Sequence, residues 1–392
     1  MVRSPALATR AVHAGREDLT DLGVHAVPLD LSTTYPARDS AAEAARLDVF
    51  ATGEQPPGYP IYGRVANPTV QRFEAALAEL EGCQAAVAFA TGMAALSGCL
   101  LAAVAAGRPH VVAIRPLYGT SDHLLDSGLL STQVSWVSSA GQVGAALRDD
   151  TGLVVVETPA NPTLTEIDLS VLAAVCGEVP LLVDNTFATP VLQQPAEHGA
   201  RLTLHSATKF LGGHGDVMGG IIACEEDTAR TLRQIRYATG AILHPLAGYL
   251  LLRGLATLPI RVRAASTTAA ELADRLASHP QVSAVHYPAR RPNRPPGQMD
   301  GGGALISFEV TSDARAVVRT VRLITPAVSL GSVDTLIQHP ASLTHRILAA
   351  VDRQTSGISD GLLRMSVGLE DVEDLWTDLD QALSIHPQED SP

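Results

Sequence analysis

Between residues 58 and 245, short apolar runs alternate with segments of helical periodicity, and few architectures accept that order. The runs are Ala85–Ala90, His110–Ile114, Val134–Val137, Leu153–Glu157, Leu181–Asp184, Leu202–His205 and Met218–Cys224. Strands separated by helices pair mainly in parallel, because each crossover returns the chain to the same end of the sheet. The expectation is an α/β unit with a mostly parallel seven-stranded sheet. In such a sheet, ligand groups collect beyond the C-terminal ends of the strands. One helix is marked especially well. Asn67 can cap it, Pro68 suits its first position, and Val70, Phe73, Leu77 and Leu80 form one apolar stripe. Gly82 can end it.

The flanks have a different texture. Residues 1–57 read as an irregular arm with a short helix near Ala41–Leu47. Residues 246–392 read as a smaller α+β domain. It should contain a long helical stretch Leu246–His279, a Pro/Arg-rich loop Tyr287–Pro296, a strand Ala304–Val310 and a last helix Glu370–Ile385. With 46% hydrophobic and 18% charged residues, the 392-residue chain can bury a sizeable core. A net charge of −13 argues against nucleic acid and anionic membrane surfaces as partners. No apolar stretch is long enough to span a bilayer. The start, MVRSPALATRAVHAGRED, lacks an apolar signal core, so a cytoplasmic protein is expected. Cys83, Cys99, Cys176 and Cys224 show no CxxC spacing and read as buried free thiols, with no metal site.

The sharpest compositional fact concerns the cations. Of 28 basic residues one is lysine, Lys209, and the rest are arginine. An amine can lose its proton and act as a nucleophile, whereas a guanidinium effectively cannot. Chance retention of one surface lysine is the competing reading. Lys209 follows the run Leu202–His205, an exposed strand-end position suited to Schiff-base formation with an aldehyde cofactor. Ser206 and Thr208 can hydrogen-bond a phosphate beside it, and the glycines from Gly212 to Gly220 let backbone come close. The order GxxxxGK[ST] of nucleotide-binding loops is absent.

Other candidates cluster at strand ends. Asp184 could pair with a pyridine nitrogen, or could be a turn aspartate. Thr91-Gly92-Met93 opens a helix whose N-terminus could take a phosphate. Tyr118 could stack on a ring or belong to the core. Asn161 could donate to a ring oxygen or shape the turn at Pro162. Arg364 sits in an apolar strand-like run and needs an anionic partner, either a substrate carboxylate or a structural acid.

The segments YGRVANPT, ATGMAA, ETPANPTLTEID, VDNTFATP, HSATKFLGGHGDVMGG, VSLGSVDTLIQHPAS and GISDGLLRMSVGLE resemble the Cys/Met-metabolism pyridoxal-phosphate enzymes, across nearly the whole chain. The resemblance implies an aspartate-aminotransferase-like (fold type I) large domain. It implies that Lys209 holds pyridoxal phosphate as a Schiff base and shuttles protons, and that Asp184 pairs with the pyridine nitrogen. Gly92, Met93, Ser206 and Thr208 would hold the phosphate, Tyr118 would stack on the ring, and Asn161 would contact the ring hydroxyl. Arg364 and the backbone near Ser329 would bind the α-carboxylate of a small amino-acid substrate. Tyr62 and Arg64 would reach the phosphate of a neighbouring subunit, which implies a homo-oligomer, a dimer or homotetramer, with shared active sites.

The implied activity is γ-elimination or γ-replacement on a methionine- or homoserine-derived amino acid. Three positions depart from the pattern of methionine γ-lyases: Thr120, Tyr237 and His244. Thr120 and Tyr237 are therefore candidate substrate-side residues. The departures leave open a specialised member with an unusual γ-leaving group such as S-adenosylmethionine and a carbon nucleophile. A non-catalytic relative and an aminotransferase of the same fold class are the remaining alternatives.

Overall fold

A computed structural model describes residues 5–55, 58 and 60–384 of the chain. The helix announced by Asn67 runs Pro68–Glu81. The Asn67 side chain accepts from the Thr69 and Val70 amides, and Gly82 closes the helix at φ +69°, where a side chain would be strained. In the arm, a helix at Ser40–Ala51 is longer than expected because Asp39 caps it one residue earlier. A second arm helix, Leu7–His13, was not anticipated: it has no side-chain cap and buries only Ala11, which left no periodic signal.

Seven strands form the large sheet: β1 (Ala85–Phe89), β2 (His110–Ile114), β3 (Gln133–Val137), β4 (Thr151–Glu157), β5 (Leu181–Asp184), β6 (Leu202–His205) and β7 (Gly220–Cys224). Their order is β1-β7-β6-β5-β4-β2-β3, with β7 antiparallel to both neighbours and the other pairs parallel. β1, β2 and β7 are buried along their whole length, which is why they read as continuous rather than alternating apolar runs. Apolar clusters cover both faces. One joins Phe73, Leu77, Ile221, Leu251 and Leu255; others gather Phe89, Leu100, Val111 and Leu232, and Val112, Val154, Leu172 and Val183.

Two sequence expectations need correction. β7 begins at Gly220, not Met218, because Gly219 is committed to the Lys209 turn: its amide donates to Thr208 Oγ1 (3.0 Å) and its carbonyl accepts from the Thr208 amide (3.2 Å). The stretch Leu246–His279 is two helices, Pro245–Leu255 and Leu258–Ala277. Pro259 lacks an amide hydrogen and clashes in a helix interior, so it is accommodated by starting a new helix.

The smaller sheet comprises β8 (Val282–His286), β9 (Leu305–Val310), β10 (Thr325–Pro326), β11 (Leu336–Gln338) and β12 (Leu362–Ser366), in the order β10-β11-β12-β9-β8. Leu272, Leu276, Phe308, Leu363 and Leu379 form its core. The last helix is Val372–Leu383, shorter than Glu370–Ile385 because Asp371 caps it; Ile385 lies outside the described residues. The domain division expected at 245/246 falls at the start of the Pro245–Leu255 helix. That helix packs in the large core beside Pro68–Glu81, while Leu258–Ala277 contributes to both cores.

A buried ion pair joins the first long helix to the sheet. Arg236 Nη1 meets Glu74 Oε1 at 2.5 Å and donates to the Ala88 carbonyl at 2.8 Å, and Glu74 Oε1 accepts from the Ala88 amide. Removing one partner strands the other charge, at about 3–5 kcal/mol. Glu74→Ala should therefore lower the thermal midpoint well below that of wild type in scanning calorimetry. An unchanged midpoint would refute a structural role for this pair.

Candidate active site

The C-terminal ends of the parallel strands open into a cavity of about 370 Å³. Thr91, Gly92, Met93, Tyr118, Glu157, Asp184, Ser206, Thr208 and Lys209 line it from the large domain, and Ser329 and Arg364 from the small one. Lys209 sits in a turn beyond β6, with its amide bonded to the Ser206 carbonyl and Nζ donating to Ser329 Oγ at 2.7 Å. The expectation of an exposed amine is corrected: Lys209 is half-buried. Burial, and secondarily the positive charge of Arg364, lowers its pKa to about 8.

Beside it is an anion cradle. The helix Gly92–Ala105 begins at the cavity, and the Thr91 hydroxyl accepts from the Ala94 amide. The Gly92 and Met93 amides, in the helix's first turn, have no acceptor within it. A Cβ at position 92 would stand 3.0 Å from Ser206 Cβ, so only glycine leaves the space open. Ser206 and Thr208 complete the rim.

Asp184 closes β5. Both hydrogen bonds it accepts, from the Thr186 amide (3.0 Å) and hydroxyl (2.5 Å), end on Oδ1, which leaves Oδ2 for a donor in the cavity. Burial raises its pKa against those hydrogen bonds. Glu157, register-paired with Asp184 on the adjacent strand, accepts from the Tyr118 amide (2.8 Å) and the Asn161 amide (2.7 Å). Burial first, and the charge of Asp184 second, push its pKa well up. Sequence reading passed over Glu157, although it ends an apolar strand on the same sheet edge as Asp184, which was the available signal.

Arg364 lies in β12 and is 2% exposed. Nη1 donates to Asn161 Oδ1 and Nη2 to the Ser329 carbonyl, each at 2.8 Å. Its hydrogen-bond partners are neutral, and burial lowers its pKa to about 10 despite the nearby Glu157 charge. Because this desolvated guanidinium lines the cavity and has no bonded carboxylate, it is a site for a ligand anion. Ser329 holds φ +107°, a strained value that presents its hydroxyl to the amine and its carbonyl to Arg364.

Other sequence candidates are not brought to the cavity wall. Asn161 is buried, and its side-chain oxygen accepts from Arg364. Thr120 does not line the cavity. Tyr62, Arg64 and Tyr237 form a separate group: Arg64 donates to the Tyr237 carbonyl (3.0 Å) and lies 4.4 Å from that ring's centroid and 5.8 Å from that of Tyr62. His244 caps the Pro245–Leu255 helix by accepting from the Leu246 amide.

An amine, an acid with a free oxygen and an anion cradle at one cavity fit pyridoxal phosphate: imine, pyridine nitrogen and phosphate each have a matching group. In protein stripped of cofactor, acylation of the single lysine should rise with pH to a midpoint near 8, because the ammonium is unreactive below it. Peptide mapping separates this adduct from that of the N-terminal amine, and a midpoint near 10 would exclude the burial argued above.

Residues 8–384 match the family described as Cys/Met metabolism PLP-dependent enzymes. Among curated relatives, an L-methionine gamma-lyase of Streptomyces avermitilis is 68% identical over 379 residues, covering 96% of this chain and 89% of the relative. A cystathionine gamma-lyase of Bacillus subtilis is 37% identical, covering 96% and 98%. Among solved structures, a cystathionine gamma synthase of Xanthomonas oryzae in complex with aminoacrylate and cysteine superposes with a TM-score of 0.88 at 34% identity, covering 97% and 98%.

Proposed function

The chain belongs to the Cys/Met-metabolism family of pyridoxal-phosphate-dependent enzymes, and from that premise we propose that it cleaves L-methionine by γ-elimination to 2-oxobutyrate, ammonia and methanethiol. It is a pyridoxal-phosphate-dependent lyase acting on small amino acids by γ-elimination or γ-replacement. The single observation that carries the finer reading is the charge inventory of the cavity. Its charged lining residues are Glu157, Asp184, Lys209 and Arg364. Cofactor and α-carboxylate would engage Asp184, Lys209 and Arg364, and Glu157 is already held by the Tyr118 and Asn161 amides, so none remains for a charged group at the far end of a substrate. The exposed apolar residues of the lining are Met218 and Val328, which with the buried Leu117 and Leu330 make a wall suited to a methyl thioether. The 68% identical relative supports the same choice.

Arg364 would grip the α-carboxylate and set the Cα–H bond beside Lys209. When bound, pyridoxal phosphate supplies an electron sink for charge developing at Cα. Lys209 then serves as the base: its amine, already easily deprotonated, accepts a proton from Cα, gives it up again, and then accepts one from Cβ. Asp184 Oδ2 holds a proton on the pyridine nitrogen. Tyr118, at the cavity mouth and 37% exposed, would cover the ring and donate a proton to the departing sulfur.

Tyr62 is 44% exposed and Arg64 lies outside this protomer's cavity. We place both at the phosphate of a neighbouring subunit, in a dimer or a dimer of dimers. Among the described residues no helix is long and apolar enough to cross a membrane. Four free cysteines agree with a cytoplasmic setting.

Borohydride should trap one cofactor per chain on the Lys209 peptide, and wild type should release 2-oxobutyrate from L-methionine. Lys209→Ala should lower kcat by about 10²–10⁴-fold. Arg364→Leu should raise KM about 10–100-fold through a lost charged hydrogen bond. An adduct elsewhere, or no product from methionine with cofactor bound, would overturn the assignment.

A further inference from the structure

Arg261, in the Leu258–Ala277 helix, is 7% exposed, and no carboxylate is paired with it among the described residues. Its three hydrogen bonds go to neutral oxygens. Nη1 donates to the Phe210 carbonyl (2.8 Å), Nη2 to the Gly254 carbonyl (2.7 Å) and Nε to Thr257 Oγ1 (3.0 Å). Burial alone lowers its pKa to about 10. A buried cation without a counter-ion is costly, and an apolar side chain of similar volume is often tolerated in such a place. The guanidinium's contribution must therefore lie in what its hydrogen bonds join.

One end of that connection is Phe210, the residue after Lys209. The other is Gly254, in the last turn of the Pro245–Leu255 helix, whose carbonyl also accepts from the Thr257 amide (3.2 Å) and where the dipole favours a cation. Glycine stands at two points where a side chain would collide with this connection. Gly213 holds φ +74°, and a Cβ there would run into the Arg261 guanidinium. On the opposite side Gly331, two residues after Ser329, holds φ +77°; a Cβ there would lie 2.6 Å from the Phe210 nitrogen and 3.0 Å from the Lys209 carbonyl carbon. The main chain at Lys209–Phe210 is thus approached by both Arg261 and the Ser329–Gly331 segment.

We propose that Arg261 is a positioning residue for Lys209: by tying the Phe210 carbonyl to the end of the Pro245–Leu255 helix, it sets the reach of the amine toward Ser329 Oγ and the reacting carbon. This rests on the reading of Lys209 as cofactor carrier and base. Arg261 touches neither substrate nor cofactor and acts only through the turn.

The test compares Arg261→Met, Arg261→Lys and Gly213→Ala with wild type, each reconstituted with pyridoxal phosphate. Four quantities are read: bound cofactor per chain, the fraction borohydride fixes on Lys209, kcat and KM for L-methionine, and the thermal midpoint. In Arg261→Met, bound cofactor should stay near the wild-type level, because the cradle and Asp184 are untouched. The fraction fixed on Lys209 should fall, and kcat should drop about 100-fold with KM little changed, as expected for a misplaced catalytic group. Arg261→Lys should recover part of both. Gly213→Ala, which displaces the guanidinium from the other side, should reproduce the defect, and it decides by the same readouts if Arg261→Met does not fold. Variants with a lower thermal midpoint but wild-type kcat and fixation would overturn the proposal. So would a loss of activity that merely parallels loss of cofactor. If wild type itself is not fixed on Lys209, the functional reading fails first; if wild type is fixed and the variants are unaffected, only the role of Arg261 fails.

Discussion

The partial burial of one amine is the constraint on which the rest of the site depends. Removing Lys209 from bulk water disfavours its ammonium form and brings its pKa down to about 8, within reach of a neutral nucleophile. The same desolvation acts on every charge around it. Arg364 is pushed down, and Asp184 and Glu157 are pushed up. All four are shifted toward neutrality because the protein alone does not complete their pairing. A pyridine nitrogen and a substrate carboxylate would supply the missing charges, so these shifts describe a site built for ligands of defined sign and position.

The fold supplies this arrangement by ending neighbouring strands at one edge. β4 and β5 are in parallel register, with Glu157 opposite Asp184, so two carboxylates arrive side by side without any loop having to find them. The small domain contributes from above. β12 carries Arg364, and the approach to β11 carries Ser329, which accepts from Lys209 through its hydroxyl and from Arg364 through its carbonyl. The proposed base and carboxylate grip therefore share one residue, and the two domains must be correctly docked for either to be placed. The Leu258–Ala277 helix, which belongs to both cores, provides that docking.

What was legible in the sequence was local. The single lysine stood out by composition, Asp184 by its place at the end of an apolar run, and the Asn67 cap by its own dipeptide. The runs foretold the large sheet because most of its strands are buried on both faces and carry a continuous apolar signal. β10 and β11, two and three residues long, are too short for any periodicity. Arg261 reaches Phe210 across 51 residues, and Arg364 reaches Asn161 across 203; no pattern in the chain announces such pairs.

Thr120 and Tyr237 illustrate the complementary difficulty. Both looked like determinants of specificity because they sit where the family pattern changes, yet neither faces the cavity of its own protomer. Tyr237 instead packs edge-on against Phe50 and under the Arg64 guanidinium, at the group assigned to a neighbouring phosphate. Its influence on chemistry would then pass through how Arg64 is presented, and so through assembly rather than direct contact with substrate. Selectivity within one protomer falls to the apolar wall and to Tyr118, whose amide is held by Glu157. The carboxylate pair and the ring proposed to cover the cofactor are thereby mechanically linked: a change at Glu157 would move Tyr118 as well as the charge beside Asp184.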